Sequence, residues 1–558
     1  MPGFVFGSLQ FDSPSREITA VTLRKVLSVL EFAEREAKAG SYVAVMLSYE
    51  AAPAFDRVLA VHESQGFPLA WAATFPSATD LAKSDSHVSS NSWEPRVSRV
   101  EYDRAVSRIQ ELIAAGDTYQ VNYTFPLTAS FEDDAYAWYR TLCAAQGAEY
   151  SAYIDLGRYR VLSLSPELFF ERRSEHVVTR PMKGTVRRGR WTAEDQELAL
   201  WLRDSTKDRA ENVMIVDLLR NDLGKVSIPG TVRVSSLFEL ERFETVWQMT
   251  STVESTLRHG TSLADLMTAL FPCGSITGAP KIRTMQIIRE LERFPRGAYT
   301  GTIGLLKPGG DCVFNVAIRT VVIDTEAQRA TFGVGGGVTI DSTAEREYEE
   351  CLVKSRFLRA RVEEFQLFES MLLEKGEYFL LAEHLERLRN SAEYFGFRFG
   401  EEEIRAALPS VTGTVKVRLT LWKDGRIESD VSPLRPLVDQ PMKLAATPVD
   451  SSNRFLFHKT TLRDGYEDDV VLWNERGEVT ESGIANIVVA IDGQLYTPPI
   501  SSGLLAGTFR NHLLAKGEIN ERVITVEELQ RAEEFFLINS VRKWRRASFS
   551  HKDTKVKT

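Results

Sequence analysis

A lysine acts as a nucleophile only when its proton is off, and one stretch of this chain gathers charges that favour that state. Arg180-Pro181-Met182-Lys183-Gly184-Thr185-Val186-Arg187-Arg188-Gly189 sets Lys183 in a dense cationic run, with Ser165-Pro166-Glu167 shortly before it. Neighbouring cations oppose a further positive charge, so they lower the lysine pKa and free its amine. The run would also attract a dianionic ligand. By itself it reads equally as a solvated basic hairpin that turns at Gly184.

Two carboxylate pairs accompany it. Asp208 and Glu211 are spaced i, i+3, as are Glu347 and Glu350, so each pair shares one face of a helix. Four such oxygen donors on two helices could hold a hard divalent cation, Mg²⁺ being the natural candidate. Either pair alone is also what a solvated acidic face looks like. Between the pairs, Phe271-Pro272-Cys273-Gly274-Ser275-Ile276-Thr277-Gly278-Ala279-Pro280-Lys281 is a glycine-rich loop ahead of a helix. Unpaired amides at a helix start bind anions, although the spacing is neither a P-loop nor a dinucleotide fingerprint.

A second set lies near the C-terminal end. Phe457-His458-Lys459-Thr460-Thr461-Leu462-Arg463 holds a lysine in apolar and cationic surroundings, a Schiff-base candidate. Thr480-Glu481-Ser482-Gly483 supplies a carboxylate, and Leu505-Ala506-Gly507-Thr508 opens a helix that could cradle a phosphate. Each alone is compatible with a structural role. Together they match what pyridoxal phosphate needs: an imine partner, a partner for the pyridine nitrogen and a phosphate anchor.

The elements that must position these groups follow from hydrophobic period and punctuation. Helices are expected over 21–40, 100–116, 207–219 and 262–270, with a further helix beginning near 192 and a closing one over 344–365. Strands are expected over 41–47, 119–123, 152–155, 160–164, 302–306, 314–323 and 330–333, the last running into Gly335-Gly336-Gly337. Residues 77–94, rich in Ser, Asp and Asn, read as an exposed loop. The pattern then restarts: 368–373 and 378–381 read as a hairpin around Lys375-Gly376, followed by a helix with His384, Arg387 and Leu388, and a strand over 487–491. This is an α+β chain of two domains, 1–364 and 365–558, without an internal repeat.

At 558 residues the chain exceeds one ordinary core. A net charge of −9 argues against nucleic acid or an anionic membrane as the main partner. Cys143, Cys273, Cys312 and Cys351 have neither zinc spacing nor a disulfide framework, which fits a reducing compartment. The N-terminal residues lack the basic and long apolar regions of a signal peptide. No run of about 18 apolar residues occurs either, so a cytoplasmic protein is expected.

The ordered motifs around Lys183, over Glu211-Asn212-Val213-Met214-Ile215-Val216-Asp217, around Gly274–Lys281 and over Glu347-Tyr348-Glu349-Glu350 resemble those of chorismate-utilising enzymes. That likeness covers roughly 100–362 and implies a β-sandwich with surrounding helices. Within the family, anthranilate synthases carry alanine where Lys183 stands, whereas aminodeoxychorismate synthases carry lysine. The likeness implies that Lys183 attacks C2 of chorismate while Glu167 protonates the departing hydroxyl. It assigns Ser275, Tyr299, Arg319, Lys354 and the amides of Gly335, Gly336 and Gly337 to substrate. Mg²⁺ falls to Glu211, Glu347 and Glu350, with Asp208 where glutamate is more usual. One departure is Trp247-Gln248-Met249, where relatives often have histidine; glutamine can hydrogen-bond but cannot titrate.

Residues 366–548 resemble fold type IV pyridoxal-phosphate enzymes, which comprise aminotransferases and aminodeoxychorismate lyases. By this likeness Lys459 is the Schiff-base lysine and Glu481 pairs with the pyridine nitrogen. Arg387, Gly507 and Thr508 hold the phosphate, and Asn539-Ser540-Val541-Arg542 borders the site. The implied function is synthesis of 4-aminobenzoate from chorismate for folate biosynthesis. An anthranilate synthase first domain or an aminotransferase second domain are the alternatives. Nothing resembles a glutamine amidotransferase, so ammonia would come free or from a separate glutaminase subunit. A homodimer through the second domain is compatible with the likeness.

Overall fold

The structure, a computed structural model, describes residues 2–81, 92–147, 149–359, 364–434, 441–463, 467–532 and 534–548. It divides into two compact units, 1–187 with 199–362, and Arg188–Leu198 with 363–558. Among the described residues no helix is long and apolar enough to cross a membrane.

The first unit is built on two large antiparallel sheets. One runs Gly278–Ala279, Gln120–Ser130, Arg329–Val338, Thr320–Asp324, Tyr159–Ser163, Ala152–Asp155, Phe4–Phe6, Leu9–Phe11 and Thr79–Asp80. The other runs Met182–Arg187, Val246–Thr256, His176–Arg180, Leu168–Arg173, Cys312–Val316, Thr302–Leu306, Tyr42–Leu47, Ala70–Phe75 and Arg16–Ala20. Apolar residues alternate inward along both. Phe4, Phe6, Phe11 and Ile154 of the first sheet meet Met46, Trp71, Phe75 and Ile303 of the second in one buried core. That makes a sandwich, the usual way for two half-apolar sheets to leave water. Helices cover both outer faces. Leu23–Lys38 and Leu263–Leu270 pack on the second sheet, and Arg99–Ala114 and Ala135–Gln146 on the first. Arg99–Ala114 begins with a reciprocal capping box between Ser98 and Glu101.

Three sequence expectations change. The strand expected over 314–323 is two strands, Cys312–Val316 and Thr320–Asp324, that belong to different sheets. The chain crosses the sandwich between them, and Arg319 takes a left-handed φ of 48° at the corner; a purely local pattern cannot mark such a switch. The closing helix ends at Ser355, and Arg356–Arg359 tightens to a 3₁₀ turn that buries Phe357 and Leu358. The rest of that expected helix falls partly on residues outside the described ones. The hairpin's return strand is only Glu377–Tyr378, because Leu380 is left-handed and starts the helix Leu381–Phe395. Most of the loop expected over 77–94 also lies outside the described residues.

In the second unit a four-stranded sheet, Glu377–Tyr378, Leu367–Glu374, Thr414–Leu421 and Ile427–Pro433, packs against Leu381–Phe395 around Met371, Leu388 and Leu419. A second sheet of eight strands centres on Asn486–Ile491, which pairs with Gln494–Thr497 and Glu534–Asn539. Its buried Ile487, Val489 and Leu537 form a separate core.

Candidate active sites

Lys183 owes its position to a bulge. Pairing of Met182–Arg187 with Val246–Thr256 shifts register between Met182 and Thr185, so Lys183 and Gly184 step out of the ladder. A bulge re-aims a side chain in this way. Gln248 holds it: its Nε2 donates to the Gly184 carbonyl at 2.9 Å and its Oε1 accepts from Thr185 at 2.8 Å. The residue that breaks the family pattern is thus a clamp on the strand that carries Lys183. Gly184 has φ 92°, and a Cβ there would sit 3.0 Å from Cβ of Asp208, so glycine lets the strand approach the acidic helix Thr206–Gly224.

Around Lys183 the structure brings together groups from five elements. A Cβ on Gly337 would lie 3.4 Å from Lys183 Nζ and collide with Gln120 Nε2. A Cβ on Gly336 would lie 3.1 Å from Glu347 Oε2 and 4.0 Å from Lys354 Nζ. Lys354 donates to the Gly335 carbonyl at 2.9 Å and pairs with Glu350 at 2.7 Å. Glycines therefore line the site because any side chain would fill it. Loss of water around Lys183 lowers its pKa, against the pull of Glu211 and Glu167. The expected cause, the arginines of its own run, is corrected: burial dominates, and the cation that adds to it is Lys354. Arg188 is occupied elsewhere, in a buried pair with Asp195.

Glu167 is 3% exposed, and burial raises its pKa to about 7, against a hydrogen bond from Ser275 and the charge of Lys183. The Ser275 hydroxyl donates to Glu167 at 2.7 Å, so Ser275 orients this carboxyl. Arg319 lies at the sheet-to-sheet corner with its Nη1 on Gln146 at 3.1 Å. Burial depresses it to about 10, and among the described residues no carboxylate pairs with it. Even a half-buried guanidinium without an acidic partner is costly unless an anion completes it. Tyr299 packs its ring on Gly333 beside Arg296 and Glu292 rather than on the three glycines nearest Lys183.

The four acidic residues face one another in charge but not yet in geometry. Burial raises Glu211 and Glu347, with the charges of Asp208 and Glu347 adding to it at Glu211 and that of Glu350 at Glu347. A divalent cation would relieve that repulsion, and their oxygens suit Mg²⁺. Among the described residues no three acidic, His or Cys groups converge as a ready ligand set. Instead Glu347 accepts from Ser342, Asp208 from Ser205, and Glu350 from Lys354.

In the second unit a cavity of about 760 Å³ is lined by Lys459, Glu481, Arg387, Gly507 and Thr508 together. Lys459 lies between two 3₁₀ turns, Arg454–Phe457 and Thr461–Arg463, and its carbonyl accepts from Phe368 N at 3.0 Å. Loss of water, then Arg387 and Arg463, push its pKa down to about 7. Glu481 is fixed by Arg463, by the Leu505 amide at 3.0 Å and by Asn486 at 3.4 Å. Arg387 forks onto Glu369 and reaches the Ala506 carbonyl at 3.3 Å. The buried Glu369, held near pKa 2 against burial by Arg387 and His384, also accepts from His384 at 2.6 Å. His384 in turn meets Thr508 at 3.3 Å. A Cβ at Gly507 would collide with Asn486 Oδ1 at 2.1 Å. A neutral lysine, a fixed carboxylate and a cation beside a glycine-opened helix suit pyridoxal phosphate.

Residues 7–360 match the family model described as chorismate binding enzyme, and 366–548 that described as amino-transferase class IV. The first match covers well over half of the chain. The chain belongs to the chorismate-binding enzyme family.

Aminodeoxychorismate synthase component 1 of Salmonella typhimurium is 42% identical to it over 264 residues, 47% of this chain and 58% of that protein. The Bacillus subtilis protein of the same name is 40% identical over 262 residues, 47% and 55%. The chain thus spans under two thirds of the length of these relatives. Anthranilate synthase component 1 1 of Haloarcula marismortui is 41% identical over 272 residues, 49% and 55%, so identity alone does not separate the two activities. The solved anthranilate synthase component I of Streptococcus pneumoniae shares the fold at a TM-score of 0.56 and 24% identity, over 64% of this chain and 92% of that one.

Two residues of this chorismate-binding enzyme escape a reading of its sequence. Gln120 is 2% exposed, and its Oε1 has no hydrogen-bond partner among the described residues while its Nε2 crowds Gly337 beside Lys183. It occupies an ordinary strand position, and only the pairing of Gln120–Ser130 with Arg329–Val338 brings it to the glycines. Glu369 sits likewise on a strand whose alternation reads as core.

Proposed function

We propose that the first unit aminates chorismate to 4-amino-4-deoxychorismate, and that the second removes pyruvate from it to leave 4-aminobenzoate. The observation that carries the first step is a bulge-borne lysine of lowered pKa within the field of a buried carboxyl raised to about 7. Lys183 bonds C2 of the ring; the π electrons shift, and the C4 hydroxyl takes the Glu167 proton and leaves as water. Ammonia then bonds C4, the electrons shift back, and the C2–nitrogen bond breaks to free Lys183. The proton shed by ammonia restores Glu167, so the net change is hydroxyl for amine with release of water. Arg319 meets a substrate carboxylate. Glu211, Glu347 and Glu350, with Asp208, would hold Mg²⁺, which neutralises charge on a dianionic substrate.

In the second unit Arg387, Gly507 and Thr508 would hold the phosphate of pyridoxal phosphate, Glu481 its ring nitrogen and Lys459 its aldehyde. Bound there, the cofactor supplies an electron sink. Lys459, near neutrality in its pKa, serves to take the proton from the amine-bearing carbon as pyruvate departs. A lyase would consume the first unit's product directly, which favours it over an aminotransferase. Ammonia comes free or from a separate glutaminase subunit.

The test is product analysis with chorismate, Mg²⁺ and ammonium. Without pyridoxal phosphate, 4-amino-4-deoxychorismate should accumulate; with it, 4-aminobenzoate and pyruvate should form. Anthranilate as product would overturn the first assignment, and amino transfer to a 2-oxo acid without pyruvate release the second.

Two further outcomes are expected. Glu167 acts only when protonated, so kcat/KM for amination at fixed free ammonia should fall toward tenfold per unit above pH of about 7. Glu167→Gln should remove that limb and lower the rate by about 10²–10⁴-fold; a flat profile in the wild type excludes this acid. Glu350→Gln removes an anionic oxygen donor and should raise the Mg²⁺ concentration for half-maximal amination by roughly tenfold. An unchanged Mg²⁺ titration would leave the carboxylates as a charged face.

A further inference from the structure

The stretch Arg188–Leu198 lies inside the part of the chain matched by the chorismate-binding model, yet it packs as part of the second unit. We infer that residues 189–191 are a positioning element for Lys459, a support that the class IV unit takes from outside its own 366–548 stretch. This rests on the reading of Lys459 as the cofactor lysine.

The stretch is rigid by construction. Arg188, 7% exposed, forks onto Asp195, 5% exposed, with contacts of 2.7 and 2.8 Å. Asp195 also accepts from Gly189 N at 2.7 Å. A Cβ at Gly189 would fall 2.1 Å from the Asp195 nitrogen, so only glycine allows so tight a turn. Buried charge-assisted bonds of this kind fix geometry more than they add stability.

Its exposed atoms are then spent on the segment before Lys459. The Tyr394 hydroxyl donates to the Gly189 carbonyl at 2.6 Å, and Arg188 lies 4.4 Å above the Tyr394 ring. Arg190 donates to the Ser451 carbonyl at 3.3 Å. Trp191 packs its ring, tilted by 33°, at 5.1 Å from that of Phe457, two residues before Lys459. Between them His458 is 3% exposed, 4.4 Å from the Tyr394 ring and 3.0 Å from the Ser391 hydroxyl. Burial holds its imidazole neutral, near pKa 3, even against the backbone of Arg190. Phe457 and His458 are therefore gripped from one side by residues 189–191 and from the other by the helix Leu381–Phe395. The amine of Lys459 can keep one position over the cavity only if that grip holds. On the far side the loop is tied by the Phe368 amide to the Lys459 carbonyl and by Thr461 N to the Gln366 carbonyl.

The experiment uses the full-length chain and its Trp191→Ala, Trp191→Phe and Tyr394→Phe variants. The first readout is hydrogen exchange of peptides over 454–463 in cofactor-free protein; the second is the Kd for pyridoxal phosphate. Trp191→Ala should speed exchange there and weaken cofactor binding, each by tenfold or more. Exchange of the strand Asn486–Ile491 should stay unchanged. Trp191→Phe should restore both within about twofold, because an aromatic ring again meets Phe457. Tyr394→Phe, which removes one hydroxyl, should shift both in the same direction by two- to fivefold, and it decides the matter should Trp191→Ala fail to fold. Unchanged exchange and unchanged Kd in the folded variants would overturn the inference. Absence of cofactor uptake by the wild type would instead strike the reading of Lys459, since the exchange experiment contains no cofactor.

Discussion

Lys183→Ala is expected to lower formation of 4-amino-4-deoxychorismate by on the order of 10³-fold or more, while the protein stays folded. The size of the loss follows from the division of labour. Without the amine no covalent step at C2 exists, and Glu167 is left to assist a direct displacement of a poor leaving group at C4. The fold should tolerate the change, because the Lys183 side chain faces a glycine-lined space and, among the described residues, makes no hydrogen bond that alanine would orphan. Gln248 would still clamp the bulge through the Gly184 carbonyl. Removing a partly buried cation also relieves a desolvation cost, so thermal stability should be equal or higher. Chorismate turnover and product identity measure the effect. Amination at close to the wild-type rate would remove Lys183 from the role of nucleophile. A switch to products aminated at C2 would show that ammonia has taken the path that the lysine closed.

The second large effect concerns Lys459. Lys459→Ala should abolish the visible absorption band that pyridoxal phosphate acquires on linkage to a protein lysine. It should also cut release of pyruvate and 4-aminobenzoate by on the order of 10³-fold or more. The lysine's pKa near 7 leaves about half of it neutral at physiological pH, against roughly one part in a thousand for an unperturbed lysine. The flanking cations Arg387 and Arg463 pair with Glu369 and Glu481. Amination by the first unit should continue, because Lys183, Glu167 and the four carboxylates all belong to that unit. The variant should therefore accumulate 4-amino-4-deoxychorismate. If 4-aminobenzoate still forms at the wild-type rate, the second unit is not the lyase, and transfer of an amino group to a 2-oxo acid becomes the assay of choice.

The two effects separate because the lysines belong to different units, although burial is the first cause of the lowered pKa of each. For Lys183 burial dominates and nearby carboxylates pull the other way. For Lys459 burial and two arginines act together.

What the sequence by itself determined were features that repeat over a turn or two of chain. The i, i+3 spacing put Asp208 with Glu211 and Glu347 with Glu350, because helical period is a local property. The motifs around Lys183 and Ser275 marked the family, since each is contiguous, and the order of Lys459, Glu481 and Gly507 marked a candidate cofactor site. Tertiary structure decided the rest. The bulge that aims Lys183 exists only because Met182–Arg187 pairs with a strand some sixty residues later. Gln120 and Glu369 look like ordinary strand residues until distant pairings bring them to Gly337 and Arg387. Arg319 becomes a half-buried cation with no carboxylate partner among the described residues because the chain changes sheets there. The lowered pKa of Lys183 was expected from adjacent arginines, yet its main cause is desolvation, which depends on what the whole chain packs around the amine. Residues 189–191 serve the second unit although their sequence belongs with the first. Period and motif are set by neighbours along the chain, whereas register, burial and long-range grip are set by neighbours in space, and only folding makes the one into the other.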